Sequence, residues 1–156
     1  MSQNLSEALL RIPLFKNLIP TEIKPLLSLC KSASYDPGTK IYEAGSSGTE
    51  MLILLKGTVR VLLSDGTEVA TVSAMDTVGG MEIVGALQRT ADIVAADEVS
   101  GLTISKGVLE GLFQNAPNMG IGLLRNIVEN IAHKLSDTNK ELAARISHEG
   151  GSQSKE

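Results

Sequence analysis

Between Tyr35 and Ser105 the chain breaks into short β-rich runs, "KIYEAG", "MLILLKG", "TVRVLLS", "TEVATVS", "DIVAAD" and "GLTIS", punctuated every ~8 to 12 residues by glycine, aspartate and serine. Strands this short cannot bury a face alone. They must fold back on one another, and the pattern predicts a small antiparallel barrel or jelly roll. "SDGT", residues 64–67, is the sharpest turn signal, because Asp-Gly accommodates the positive φ angles of a type I′ hairpin turn.

Helical periodicity flanks this region. Residues 3–11 and 20–31 carry apolar positions at helical spacing, with Thr21 after Pro20 as the expected cap of the second helix. Residues 106–115 predict a short helix that stops before Pro117, and a long helix follows over about 118–146. The expected architecture is α+β and mainly β: an antiparallel jelly-roll barrel flanked by short N-terminal helices and a long C-terminal helix. One domain is expected, divided into N-terminal helices (1–31), a barrel (32–105), C-terminal helices (106–146) and a polar, glycine-rich tail (147–156) that reads as flexible or as a linker.

Composition narrows the function. A chain of 156 residues with 42% hydrophobic side chains buries roughly two thirds of its unfolded surface and needs neither disulfide nor metal to fold. Its net charge is −4, with 14 Lys and Arg scattered among 18 acids, which opposes the basic stripe of a nucleic-acid binder. No apolar run is long enough to span a membrane and no secretory leader is visible, so no membrane partner and a cytoplasmic location are expected. Cys30 follows Leu26, Leu27 and Leu29 in a helical pattern and is expected to be a buried thiol in a reducing compartment. Both histidines, His133 and His148, lie near the C-terminus, away from any barrel carboxylate. No metal site and no nucleophile–histidine pair can be assembled, and enzymatic activity is not expected.

The long helix carries a heptad seam, Leu124, Val128, Ile131, Leu135, Thr138 and Leu142, beside a second apolar set of Leu123, Ile127 and Ala132. Two readings follow: one broad stripe buried within a monomer, or a homodimer through the 118–146 helix with the second set packed on the chain's own barrel. The seam favours the homodimer.

Chemistry concentrates in "GGMEIVGALQRTADI", residues 79–93. Gly79 and Gly80 after a strand let backbone approach a ligand, and a helix opening at Met81 would aim free N–H groups at the same place. Arg89 supplies a charge-assisted partner suited to phosphate and Thr90 a hydroxyl donor beside it. The competing reading makes Arg89 the ion-pair partner of Glu82.

A glycine-punctuated barrel holding G-(x)9-R-[ST]-A, preceded by "EAGSSGTEMLILLKGTVRV" and followed by a short and then a long helix, resembles the cyclic nucleotide-binding domain over about Leu14 to Leu142. The resemblance implies a phosphate-binding cassette at 79–91, with Gly79, Arg89, Thr90 and Ala91 in the family's places and Met81 and Glu82 within it. Gly45 and Gly57 match two turn glycines of the family. Thr138 and Asn139 fall where polar residues of the family's long helix reach the base. The implied ligand is a cyclic nucleotide, cyclic AMP or cyclic GMP, with no metal, and the implied output is an unidentified effector protein.

Two features depart from the family. Gly80 stands where nucleotide-binding members carry the glutamate that holds the ribose, and Glu82, roughly 200° further round a helix, does not simply replace it. Catabolite activator relatives also continue into a winged helix-turn-helix, and the residues up to Glu156 hold none. The function read from the sequence is therefore a regulatory sensor with weak nucleotide binding. Its alternative is a degenerate copy of the fold that serves as a dimeric interaction module.

Overall fold

The computed structural model describes residues 7–153, with side chains described for 7–148. The expected helix at 3–11 lies partly outside that range, and residues 7–9 are helical within it. A 3-10 turn, Pro13–Phe15, leads to α1 (Pro20–Leu29). Thr21 is not its cap: Pro20 occupies the first turn, where its missing N–H costs nothing, and the Glu22 carboxylate accepts the Ile19 N–H at 3.2 Å. α1 ends at Leu29, so Cys30 sits after the helix in an extended conformation, half-buried. Burial pushes its thiol pKa from the usual value near 9 up to about 11.

Eight strands follow: β1 (Lys31–Tyr35), β2 (Lys40–Tyr42), β3 (Glu50–Lys56), β4 (Thr58–Leu62), β5 (Glu68–Ser73), β6 (Asp76–Val78), β7 (Asp92–Ala95) and β8 (Val99–Ser105). Two antiparallel four-stranded sheets result, in the orders β1-β8-β3-β6 and β2-β7-β4-β5. Each sheet has two free ends. The jelly roll is an open sandwich and does not close into a barrel. Strands β1 and β6 escape a reading of hydropathy. "KSASY" has almost no apolar character and pairs along one edge with β8, whereas "DTV" is only three residues long.

The central strand explains the architecture. Met51, Leu52, Ile53 and Leu54 are all fully buried, because β3 is covered on both faces. Leu52 and Leu54 face the sandwich with Val59, Val72, Ile93 and Val99. Met51 and Ile53 face outward into a second core with Phe15, Ile23, Leu26, Leu123 and Ile127. A strand buried on both sides must be continuously apolar, and "MLIL" is.

The β4–β5 hairpin exists, with a different turn from the expected type I′. Leu63 and Gly66 close a turn (Gly66 N to Leu63 O, 2.8 Å) in which only Gly66 has positive φ, +89°. That is a type I turn followed by a left-handed glycine, and the Asp65 carboxylate fixes it by accepting the Thr67 N–H at 2.9 Å.

Ser105 Oγ caps α3 (Lys106–Asn115) by accepting the Val108 N–H at 3.1 Å. α4 runs from Pro117 to Gln153, about 55 Å at 1.5 Å per residue. It passes through the start of the expected flexible tail at 147, since elongating an established helix adds a hydrogen bond per residue without a new nucleus. Residues 154–156 lie outside the described range.

A polar row at helical spacing fastens α4 to the body. Asn126, 4% exposed, donates to the carbonyls of Leu14 (2.7 Å) and Lys16 (2.9 Å), while Asn130 donates to Asp76 at 3.1 Å and Lys134 to the Thr77 carbonyl at 3.0 Å. Removing the Asn126 amide strands two carbonyls beside an apolar core. Asn126→Ala is expected to lower stability by about 1 to 3 kcal/mol, read as a reduced urea midpoint at unchanged slope.

Candidate functional site

The segment linking β6 to β7 builds the site. Gly79 follows β6 with φ +91°, a left-handed conformation that turns the chain into α2 (Gly80–Gly85), and a Cβ there would collide with the Arg89 guanidinium. Ala86 closes α2, also left-handed at φ +52°. The upstream glycines expected to turn the chain, Gly45 and Gly57, have φ +85° and +93°.

Arg89 is the most enclosed charge of the segment, its side chain only 2% exposed. One guanidinium nitrogen donates to the Gly79 carbonyl at 3.2 Å, and the other donates to the Glu50 carbonyl. The guanidinium lies 3.9 Å from the centre of the Tyr42 ring, a cation–π stack. Its Nε is buried without an acceptor. Glu82, 8% exposed, approaches Arg89 at 3.7 Å, so the ion-pair reading of Arg89 describes this ligand-free arrangement. Tyr42 in turn donates its hydroxyl to Glu50 at 3.0 Å, and burial beside that carboxylate raises the hydroxyl pKa above its usual range.

A cavity of about 420 Å³ opens between this segment, the β4–β5–β7 face and α4. Gly79, Gly80, Met81 and Glu82 line one side, with Ile127, Asn130, Ile131, Lys134, Leu135 and Thr138 opposite, and its volume lies within the ~300 to 1,000 Å³ range of small-molecule sites. The remaining expected residues lie elsewhere. Arg89 and Thr90 border a separate polar recess of about 360 Å³ with Lys40, Gly45 and Asp92. Ala91 is buried, and Asn139 is exposed and takes no part in the cavity lining. Thr138 reaches the cavity rim while its hydroxyl donates back to the Lys134 carbonyl at 2.9 Å.

Gly80 has a distinct reason for being small. Its φ is not positive, but a Cβ would lie 3.2 Å from Ile127 Cγ2 and 3.4 Å from Met51 Cε. A side chain at 80 would therefore begin in tight contact with Ile127 of α4, which would have to give way. Tyr42, Glu50, Asn130 and Lys134 are the residues sequence reasoning missed. The row Asn126, Asn130, Lys134, four apart on α4, was the available signal.

Residues 32–116 match the family profile of the cyclic nucleotide-binding domain. The chain belongs to that family. Mouse cyclic nucleotide-gated channel beta-3 is 34% identical over 112 residues, covering 69% of this chain and 16% of the channel. Glutaminase 1 of Bradyrhizobium diazoefficiens is 26% identical over 130 residues, covering 83% of this chain and 21% of that protein. This cyclic nucleotide-binding domain therefore spans a small part of the length of either relative. The fold is shared with a cyclic nucleotide-binding domain from Methylobacillus flagellatus, at TM-score 0.82 and 21% identity over 92% of this chain and 83% of that one.

The burial of Arg89 changes what its removal tests. Arg89→Ala would leave Glu82 buried without a counter-charge and two carbonyls without a donor, so the variant is expected to lose about 3 to 5 kcal/mol of stability in a denaturant titration, in addition to any loss of ligand binding.

Proposed function

We propose that the chain is a regulatory sensor module in which a small ligand beneath α4 biases the position of that helix and passes the change to a partner protein. The observation that carries this reading is the shared cavity wall: residues 79–82 and α4 residues 127–138 face the same space, so an occupant touches both. A ligand shifts α4 only by as much as it binds one arrangement better than another. The contacts it must compete with are modest, since the Asn130–Asp76 and Lys134–Thr77 bonds are each worth about 1 to 3 kcal/mol.

Cyclic AMP or cyclic GMP is the ligand class that the family suggests, and binding is expected to be weak. Gly80 offers no carboxylate to a ribose, a loss of about 1.5 to 3 kcal/mol, and Arg89 is already engaged. No catalysis is proposed, and the location proposed is cytoplasmic. The second reading, a domain that no longer takes nucleotide, is favoured by the Glu82–Arg89 pair at 3.7 Å.

We further place a homodimer on α4. Leu123 and Ile127 pack on the body, and Ala132 of the same expected set is exposed. Of the expected seam, Ile131, Leu135 and Thr138 border the cavity, and the outer face carries Val128 and Leu142, 53% and 54% exposed, with Ile121 one heptad before Val128 at 54%. Such a stripe at heptad spacing suits a second copy of the same helix. Leu142→Glu, beyond the cavity, is expected to yield a monomer in sedimentation velocity, and an unchanged coefficient would refute the dimer.

The sensor reading is tested by thermal shift against a cyclic nucleotide panel, followed by hydrogen exchange on α4. A ligand at 100 times its Kd adds about 2.7 kcal/mol of apparent stability. Binding without altered exchange over residues 127–138 would remove α4 from the mechanism.

A further inference from the structure

The cavity beneath α4 is unusual in where its charges point. Two of its lining residues are charged, Glu82 and Lys134. Lys134 is already committed, donating to the Thr77 carbonyl at 3.0 Å and lying 3.6 Å from Asp76. Arg89 directs its two terminal nitrogens to the Gly79 and Glu50 carbonyls and is not part of the lining. Glu82 is in the opposite condition. Its side chain is 11% exposed, its one charged contact is the 3.7 Å approach to Arg89, and among the described residues nothing donates a hydrogen bond to it.

That carboxylate keeps its acceptor capacity, and a cavity beside it is where a donor can enter. An anion entering the same space meets a like charge, while Lys134 and the terminal nitrogens of Arg89 are already hydrogen-bonded. The walls favour an apolar or flat body, with Val61, Val72, Ile93 and Ile131 along them. We infer that this cavity selects an uncharged ligand that donates a hydroxyl or amino hydrogen to Glu82 and lays an apolar body against those walls, so that it takes a nucleoside in preference to the corresponding cyclic nucleotide. The inference rests on the sensor reading above and fixes the charge of the ligand at that site.

The test is calorimetry on the full chain with adenosine and cyclic AMP as probes, molecules that differ in the cyclic phosphate. The wild type is expected to bind adenosine at least tenfold more tightly than cyclic AMP. Glu82→Ala is expected to weaken adenosine at least tenfold and to strengthen cyclic AMP, because the donor's acceptor and the repelling charge leave together. Glu82→Gln, of equal size, repeats the comparison should the alanine variant fail to melt cooperatively: it keeps an acceptor and removes the charge, so the preference for adenosine should narrow at least threefold. Cyclic AMP binding more tightly than adenosine in the wild type would overturn the inference and leave the sensor reading standing. Silence from both probes, in wild type and variants that melt cooperatively, would overturn both.

Discussion

Burying a guanidinium costs several kcal/mol even after the protein relaxes around it, and the segment between β6 and β7 is organised by how that cost is met at Arg89. Two carbonyls accept from it, one at the β6–α2 junction and one at the start of β3, and the Tyr42 ring of β2 stacks on it. Charge-assisted hydrogen bonds contribute about 1.5 to 3 kcal/mol each and a desolvated cation–π contact about 2, which is of the size required. Each partner comes from a different strand or turn. Arg89 therefore fixes the mutual positions of Gly79, Glu50 and Tyr42, and of these Gly79 borders the cavity. Its Nε without an acceptor is the one donor this arrangement leaves unmet.

The hold of the body on α4 weakens along the helix. Asn126 is buried and makes two hydrogen bonds, whereas Asn130 makes one and is half-buried, and the Lys134 side chain is 45% exposed. Beyond Lys134 every described side chain of α4 is exposed. The cavity lies alongside the weaker part of that gradient, between Ile127 and Thr138. In the proposed mechanism a ligand there would compete with the least costly contacts and leave the Asn126 anchor in place, so the helix would hinge after Asn126.

Much of this fold is legible in the chain because periodicity and turn chemistry are strong where burial is strong. "MLIL" is doubly covered and reads as a buried strand, and Pro117 separates α3 from α4 as its ring demands. Edge strands are less visible: β1 is held by ladder hydrogen bonds to β8 and needs little apolar content to stay there. The site was legible as a segment and not as a geometry. Gly79, Glu82 and Arg89 are adjacent in space as the spacing suggested, yet which way Arg89 points depends on carbonyls 10 and 39 residues away, and backbone acceptors carry no residue-type signal. Thr138 and Asn139 are consecutive and so lie ~100° apart around α4, which is why one reaches the cavity rim and the other faces solvent.

Gly80 and Glu82 are best understood together. A Cβ at position 80 would come within 3.2 Å of Ile127, so any larger residue there would press on α4, and the glycine lets the two helices approach. Position 82 points elsewhere. Glu82 packs so closely on the β2–β3 loop that Gly48 has no room for a Cβ, and its carboxylate ends beside Arg89 at the cavity wall. A side chain cannot both neutralise Arg89 from within and leave that cation available to an anionic ligand. Glu82 and an anion would therefore compete for the same guanidinium.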